Sequence, residues 1–275
     1  MKEHKDDLDS ILDRIIEKSF EEIIEFLEKN GISTDKKPKL KIIESSYSIE
    51  IYDILGYPIL YAPIPSIVKI ALAFWEMWKY RRIWGLYGES TGTVYIMKST
   101  LIRNINRLLN FLYKRRRIGE NLSSKNTKGY SITGIRLSEY SNAIYPAYIN
   151  WNDIKNSVAK IPVYLTVGHE LSHAFISKSD LVASTSEYLI YFYINKLYEY
   201  PEAYKIIEVS IKQYKEYIEK GKKLDFYDLG GCLAAIIIDK NKNKKLEELN
   251  IKDIIEKTKY LSEEDVINEI KSYKI

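Results

Sequence analysis

Two histidines stand four residues apart, with a glutamate directly after the first, in the segment His169-Glu170-Leu171-Ser172-His173. An α-helix turns once in about 3.6 residues, so side chains four positions apart leave the same face of a helix. Both imidazoles could therefore bind one metal ion, and Glu170 would stand beside a water molecule bound to that ion. The spacing predicts a metal-activated water with a carboxylate as its proton acceptor.

The residues around this motif are apolar. Glu170 is the only charged residue between Pro162 and Ile176. A buried carboxylate without a partner is costly, so a metal ion or a proton must compensate it. The alternative is an ordinary buried helix with two hydrogen-bonded histidines, which leaves the glutamate unexplained.

The motif and its flanks resemble those of the zincin metallopeptidases. The resemblance rests on Thr166 three places before the first histidine, on uncharged neighbours, and on the apolar Phe175 two places after the second histidine. It covers only the motif and its immediate flanks. It implies a zincin-like α+β fold, in which a small mixed sheet packs on the motif helix and the carboxy-terminal half is mainly helical. It also implies Zn²⁺ as cofactor and a peptide or protein substrate, with Glu170 as general base.

A catalytic zinc site of this kind has three protein ligands and one open position. The remaining histidine, His4, lies in a charged amino-terminal stretch and is a poor ligand candidate. The metzincin branch has a ligand six residues after the second histidine and a glycine three residues after it, where this sequence has Ser179 and Ile176. We therefore expect an acidic third ligand, as in gluzincins, and predict Glu187, with Asp180 as the alternative.

Glu187 is expected near the start of the helix that follows the motif helix. The segment Ser179-Asp180-Leu181 indicates a break, and an apolar helix is predicted to begin at Ser184. If this helix folds back on the motif helix, Glu187 comes within about one turn of His173, at roughly 1.5 Å rise per residue. Ser184 and Glu187 also have the spacing of a capping box, which would make the glutamate structural. Asp180 could likewise hold an imidazole by a hydrogen bond rather than bind the metal.

A side chain that stabilises the oxyanion is also expected, and in zincins it is usually Tyr, His or Arg. Tyr191, one helical turn after Glu187, is our candidate, although a buried tyrosine is often only a core residue. Thermolysin-like enzymes have an aspartate at this position, so the surroundings of Glu187 differ from theirs. Zincins usually bind an extended substrate along an edge strand beside the motif helix. The predicted strands at 130–137 and 147–151 are the candidates.

Composition predicts a cytoplasmic protein without a membrane span. The single cysteine, Cys232, excludes an internal disulfide and indicates a reducing compartment. No apolar run follows the charged residues 1–7, so we do not expect them to form a signal peptide. The apolar segment 66–82 contains Lys69 and Glu76, which favours a buried helix over a spanning one.

The net charge of +4 is small for 275 residues, and the densest basic run is Arg115-Arg116-Arg117. A nucleic-acid partner for this run is one alternative function, although cations at an exposed helix end are the simpler interpretation. A catalytically silent zincin-fold module that binds or regulates a partner is another alternative. The sequence does not determine the oligomeric state.

The pattern of apolar residues predicts an amino-terminal helical extension at 1–35, followed by one metallopeptidase domain at 36–275. Gly230-Gly231 is expected to open an apolar helix, either as a plain turn before a core helix or as small residues that would allow close approach to the motif helix. A polar loop at 119–128 is predicted to be a flexible segment or a lid. Strands are expected near 40–44, 47–54 and 93–97, in addition to the two substrate-strand candidates. Helices are expected at 6–30, 99–116, 184–200, 201–220, 228–239 and 251–273, the last with a break near Tyr260, and a short helix from Asn152 is expected before the motif helix.

Overall fold

The computed structural model describes residues 2–44, 84–117, 130–136, 144–244 and 248–274. The predicted strand at 47–54, the predicted buried helix at 66–82 and the predicted lid at 119–128 lie outside the described residues.

The chain is an α+β protein in which helices predominate. The first half alternates helices and short strands: α1 (Lys2–Lys29), β1 (Lys39–Ile43), β2 (Gly85–Gly88), β3 (Thr93–Met97), α2 (Lys98–Arg117), β4 (Tyr130–Ile135) and β5 (Tyr145–Asn150). The second half is helical: α3 (Ile154–Phe175), α4 (Asp180–Ile194), α5 (Pro201–Glu219), α6 (Phe226–Lys240), α7 (Ile251–Thr258) and α8 (Glu263–Ser272). The helical second half is the arrangement that the apolar periodicity predicted.

The larger sheet is small and mixed. Its strand order is β1-β3-β2, in which β1 runs parallel to β3 and β2 runs antiparallel to it. Every residue of β3 is buried, because the strand packs on the main core through one face and on a smaller apolar cluster through the other. The strands β4 and β5 form a separate antiparallel pair.

The motif helix α3 is the central element of the fold. It packs against α1, α2, α4 and both sheets. It is one continuous helix after a short 3₁₀ turn at Trp151–Asp153, so the prediction of a separate short helix before the motif helix is wrong. Pro162 lies inside it, where it cannot donate a backbone hydrogen bond. The Thr166 hydroxyl donates to the Pro162 carbonyl oxygen at 2.7 Å.

The amino-terminal helix α1 packs along α3. Its apolar stripe, which includes the fully buried Leu12, Ile16, Ile23 and Leu27, belongs to the same hydrophobic core as the motif helix. The residues that were predicted to form an extension therefore pack directly against the rest of the chain.

Helices α4 and α6 pack closely against each other at Gly230. A Cβ atom added at Gly230 would lie 2.6 Å from Cβ of Ser184 and 2.9 Å from the carbonyl oxygen of Leu181. The glycine thus permits close packing against α4, and not against the motif helix as the sequence had suggested. Within the ranges that the structure describes, no helix has both the length and the apolar character to cross a membrane.

Candidate metal centre

The helix α3 directs both motif histidines to one point. The Nε2 atoms of His169 and His173 lie 3.1 Å apart, and their rings meet edge to face with centroids 4.7 Å apart. Two Zn–N bonds of about 2.0–2.1 Å at a tetrahedral angle would separate the nitrogens by about 3.3 Å. The observed separation therefore suits two imidazole ligands of one metal ion.

Asp180 completes a triangle with the two histidines. Its Oδ1 atom lies 3.3 Å from Nε2 of His173 and 3.9 Å from Nε2 of His169. Among the described residues these three side chains form a group whose possible ligand atoms all lie within 4.8 Å of one another. Asp180 is the first residue of α4, and its side chain is about half exposed. The two imidazoles and the Asp180 carboxylate therefore converge on the side of the site that is open to solvent.

Glu187, the predicted third ligand, lies on another side of His169. Its Oε2 atom is 2.6 Å from Nδ1 of His169, whereas Nε2 of that ring faces His173 and Asp180. Glu187 is buried and does not belong to the triangle of possible ligand atoms. Its position suits an acceptor that fixes the orientation of the imidazole, a role that metal-binding histidines commonly require.

The capping alternative for Glu187 is wrong. The helix α4 begins at Asp180, four residues before the predicted start, with Ser179 as its N-cap residue. Asp180 favours this start, since a carboxylate in the first turn interacts well with the positive end of the helix dipole. Ser184 and Glu187 therefore lie inside the helix, where the backbone donors that a capping box would bind are already satisfied.

His173 is oriented by the turn that ends α3. Its Nδ1 atom lies 3.0 Å from the carbonyl oxygen of Ser177, to which a protonated Nδ1 donates. The lone pair of Nε2 is then left to face the triangle. Each imidazole thus has an acceptor at Nδ1, which is a carboxylate for His169 and a backbone carbonyl for His173.

The motif glutamate is buried beside the strand β2. The Tyr87 backbone N–H donates to the Glu170 carboxylate, and burial raises the pKa of that carboxyl while His169 and His173 act in the opposite direction. A Cβ atom added at Gly85 would lie 2.8 Å from Cγ of Glu170 and 3.0 Å from its Oε1. Only a glycine permits this approach of the strand to the carboxylate.

The strand beside Glu170 is therefore β2, and not either of the strands predicted at 130–137 and 147–151, which form the β4–β5 pair. The Met97 N–H donates to the Trp84 carbonyl oxygen. Because every second residue of an antiparallel strand hydrogen-bonds to its partner strand, Trp84 and Leu86 face β3 with their backbone groups, and the residues between and after them do not. The backbone groups of Gly85 and Tyr87 consequently point away from β3. Among the described residues no strand pairs with this edge.

Tyr191, predicted to stabilise an oxyanion, is a buried core residue. Its hydroxyl donates to the carbonyl oxygen of Pro146 in β5 at 3.3 Å, and burial raises its pKa. The structure does not bring it into the triangle of ligand atoms.

A different tyrosine, which sequence reasoning missed, stands at the site. The ring of Tyr227 stacks on His169 with centroids 5.4 Å apart and planes inclined by 28°, and about half of the residue is exposed. Partial burial raises the pKa of the Tyr227 hydroxyl, and the carboxylates of Glu187, Asp180 and Glu170 raise it further. Tyr227 is the second residue of α6, and no spacing in the sequence connects it to the motif.

The proton balance at His169 is set by two opposing effects. Burial disfavours the imidazolium, but the neighbouring Glu187 carboxylate, together with Asp180, raises the pKa of His169 to about 10. Burial also raises the pKa of Glu187. The carboxylates around His169 therefore favour its imidazolium form in the absence of a metal.

The remaining sequence candidates add little to this site. The guanidinium of Arg115 lies 4.7 Å above the ring of Phe111 on α2. The side chains of Arg116, Arg117 and His4 lie outside the described set. Comparisons with protein-family models, with curated proteins and with solved structures gave no match.

Proposed function

We propose that this chain is a zinc-dependent peptidase with a zincin-like site, in which His169, His173 and Asp180 bind the metal. The triangle formed by the two Nε2 atoms and Oδ1, with edges of 3.1, 3.3 and 3.9 Å, carries the proposal. Two imidazoles and one carboxylate are the donor set of many catalytic zinc sites, which leave a fourth position open. The proposal takes Asp180 as the third ligand and gives Glu187 the task of orienting His169.

The orientation of both ligands is consistent with such a site. An acceptor at Nδ1 fixes the ring and makes Nε2 the more basic donor toward a metal. Glu187 supplies this acceptor to His169 at 2.6 Å, and the Ser177 carbonyl supplies it to His173 at 3.0 Å. An imidazole that is held in one orientation loses little freedom when it binds a metal ion.

Glu170 is suited to proton transfer in peptide hydrolysis. Bound Zn²⁺ would supply a Lewis acid and lower the pKa of water toward neutrality. Glu170 would accept a proton from the attacking water and release it to the leaving amine, which is the work of a general base and then a general acid. Because burial raises the pKa of Glu170, the carboxyl is better matched to both halves of this task than an exposed glutamate.

The edge of β2 and the ring of Tyr227 are the elements that we expect to contact substrate. The Tyr87 N–H already donates to Glu170, so the outward backbone groups of Gly85 and the Tyr87 carbonyl are the ones that could pair with an extended peptide, which would bring its main chain past Glu170. Tyr227 replaces Tyr191 as the candidate donor to the oxyanion, because it stacks on His169 and about half of it is exposed to solvent.

The proposal is tested by incubating the zinc-loaded protein with an unfolded protein substrate and identifying new termini by mass spectrometry. We expect cleavage by the wild-type protein and a loss of about 10²–10⁴-fold in the Glu170→Gln variant, which retains its metal. A Glu170→Gln variant that cleaves as fast as the wild type would contradict the proposal. Peptide binding without cleavage by either protein would favour the catalytically silent module.

A further inference from the structure

The helix α6 begins with two aromatic side chains that are exposed to solvent. Phe226 is 43% exposed and Tyr227 is 48% exposed. Apart from the terminal Lys240 they are the only exposed residues of this helix, whose remaining length belongs to the core. Exposed apolar groups that stand together commonly mark a contact with a ligand or a partner.

The turn that carries these rings is held in place by polar contacts. The Asp225 carboxylate accepts from the backbone N–H of Asp228 at 2.8 Å and thereby caps α6. The Asp228 side chain is buried and lies 3.5 Å from the Tyr214 hydroxyl of α5. Both rings are therefore presented by a fixed helical turn and not by a loop.

Both rings lie on the side of α6 that faces the metal centre. They come four and three residues before Gly230, a spacing that shares one helix face, and Gly230 packs on α4. Tyr227 stacks on His169 with ring centroids 5.4 Å apart and lies within the electrostatic influence of Asp180. Phe226 therefore stands beside Tyr227 at the rim of the metal centre.

The edge of β2 approaches the metal centre from another side. His169 and Glu170 are consecutive residues of α3, so their side chains leave the helix about 100° apart. His169 contacts Tyr227, whereas Glu170 contacts Gly85 of β2. A peptide that pairs with β2 and passes Glu170 would therefore have the start of α6 on its other side.

We propose that Phe226 and Tyr227 bind a bulky apolar side chain of the peptide substrate, next to the bond that is cleaved. The inference rests on the proposed peptidase function and specifies its substrates as peptides with residues such as phenylalanine or leucine beside that bond. Successive side chains of an extended peptide point to opposite faces, so one residue near the bond would reach the rings. Burial of its apolar surface against two half-exposed rings favours binding.

Peptide binding tests this inference without requiring cleavage. The zinc-loaded Glu170→Gln protein is titrated with a short blocked alanine peptide that has phenylalanine at its centre, and with its serine counterpart. Uniform alanine flanks allow the central residue to occupy either side of the reacting bond. We expect at least about tenfold tighter binding of the phenylalanine peptide, and Phe226→Ser in the same background should abolish the difference.

Phe111→Ser is the matched control. Phe111 is 42% exposed, nearly as much as Phe226, but it lies on α2 and contacts no residue of the metal centre. This variant should retain the preference for the phenylalanine peptide. Both substitutions replace an exposed ring, so both should leave the midpoint of thermal unfolding nearly unchanged.

Parallel cleavage assays with the wild-type protein separate this inference from the proposed function. Cleavage of both peptides at equal rates, failure of the phenylalanine peptide to bind, or a preference that survives Phe226→Ser would overturn the inference. A binding preference that depends on Phe226, in a protein that cleaves neither peptide, would support the aromatic subsite and contradict the peptidase proposal.

Discussion

The Nδ1 atom of His169 lies 2.6 Å from the buried Oε2 atom of Glu187. This contact places the glutamate behind the imidazole and leaves Nε2 to face His173 and Asp180. Glu187 and Asp180 lie two turns apart on the same helix, yet the structure assigns them different relations to the histidine pair. The assignment of the metal ligands depends on this difference.

The first prediction compares Asp180→Asn with Glu187→Gln. Loss of a ligand should weaken zinc binding more than loss of an orienting acceptor, which typically costs about 10–100-fold in metal affinity. We expect Asp180→Asn to show the larger loss when both variants compete with a chelator for zinc. The reverse order would return the ligand role to Glu187, as the sequence alone had suggested.

The second prediction concerns the two tyrosines. Tyr227→Phe should lower kcat by about 10²–10³-fold with the zinc content unchanged, because it removes a donor beside the metal centre. Tyr191→Phe should retain kcat and lose about 1 kcal/mol of unfolding free energy, since it removes the hydrogen bond to Pro146. Steady-state kinetics and urea unfolding of both variants check this prediction. A decrease in kcat that is confined to Tyr191→Phe would return the oxyanion-stabilising role to Tyr191.

The third prediction concerns protons released when zinc binds. The pKa of His169 is raised to about 10, above the value of about 6.5 in an unfolded chain. The protonated imidazole therefore stabilises the metal-free protein below about pH 6.5, and this stabilisation is lost as the pH rises through 10. Zinc binds neutral imidazole, so uptake near pH 7.5 should release a proton from His169.

Zinc titrations in buffers that differ in ionisation enthalpy measure this release. The observed heat should change with the buffer, and the change should be smaller for Glu187→Gln, which lacks the carboxylate that holds the proton. Identical heats in all buffers would contradict the assignment of a protonated His169.

The fourth prediction concerns the contact between α4 and α6. Ser184 is inside α4 and its hydroxyl is buried without a hydrogen-bond partner among the described residues. Ser184→Ala should therefore leave the unfolding free energy unchanged or raise it. Gly230→Ala should lower it by about 1–3 kcal/mol, because its Cβ would lie 2.9 Å from backbone atoms of Leu181 and Thr185. A marked loss of stability in Ser184→Ala would contradict the position of Ser184 inside the helix.

Local sequence patterns predicted the helices well, because the formation of a helix depends mainly on residues that are close together in the sequence. The stripe of α1 and the start of α5 at a proline follow from such signals. The four-residue spacing likewise predicts that His169 and His173 share a face, and their Nε2 atoms converge in the structure. Helix α4 starts four residues before the predicted position, because Ser179-Asp180 indicates a break and a helix start equally well.

Contacts between distant segments could not be predicted from spacing. Gly85 approaches Glu170 across 85 residues of sequence, and Tyr227 reaches His169 from another helix. The sequence also could not show whether Asp180 or Glu187 faces the Nε2 atoms of the histidines. The rotation of their helix about its own axis decides this, and the apolar pattern does not fix that rotation closely enough. These relations arise from packing, which single-residue periodicity does not encode.

The central claim is that the triangle of His169, His173 and Asp180 binds zinc. Elemental analysis after saturation with zinc and extensive dialysis measures this most directly. We expect about one zinc per chain in the wild-type protein and a large loss in a folded His169→Ala variant, as three ligands around one ion require. Wild-type protein that is well folded and retains no zinc, or His169→Ala protein that retains as much as the wild type, would contradict the claim.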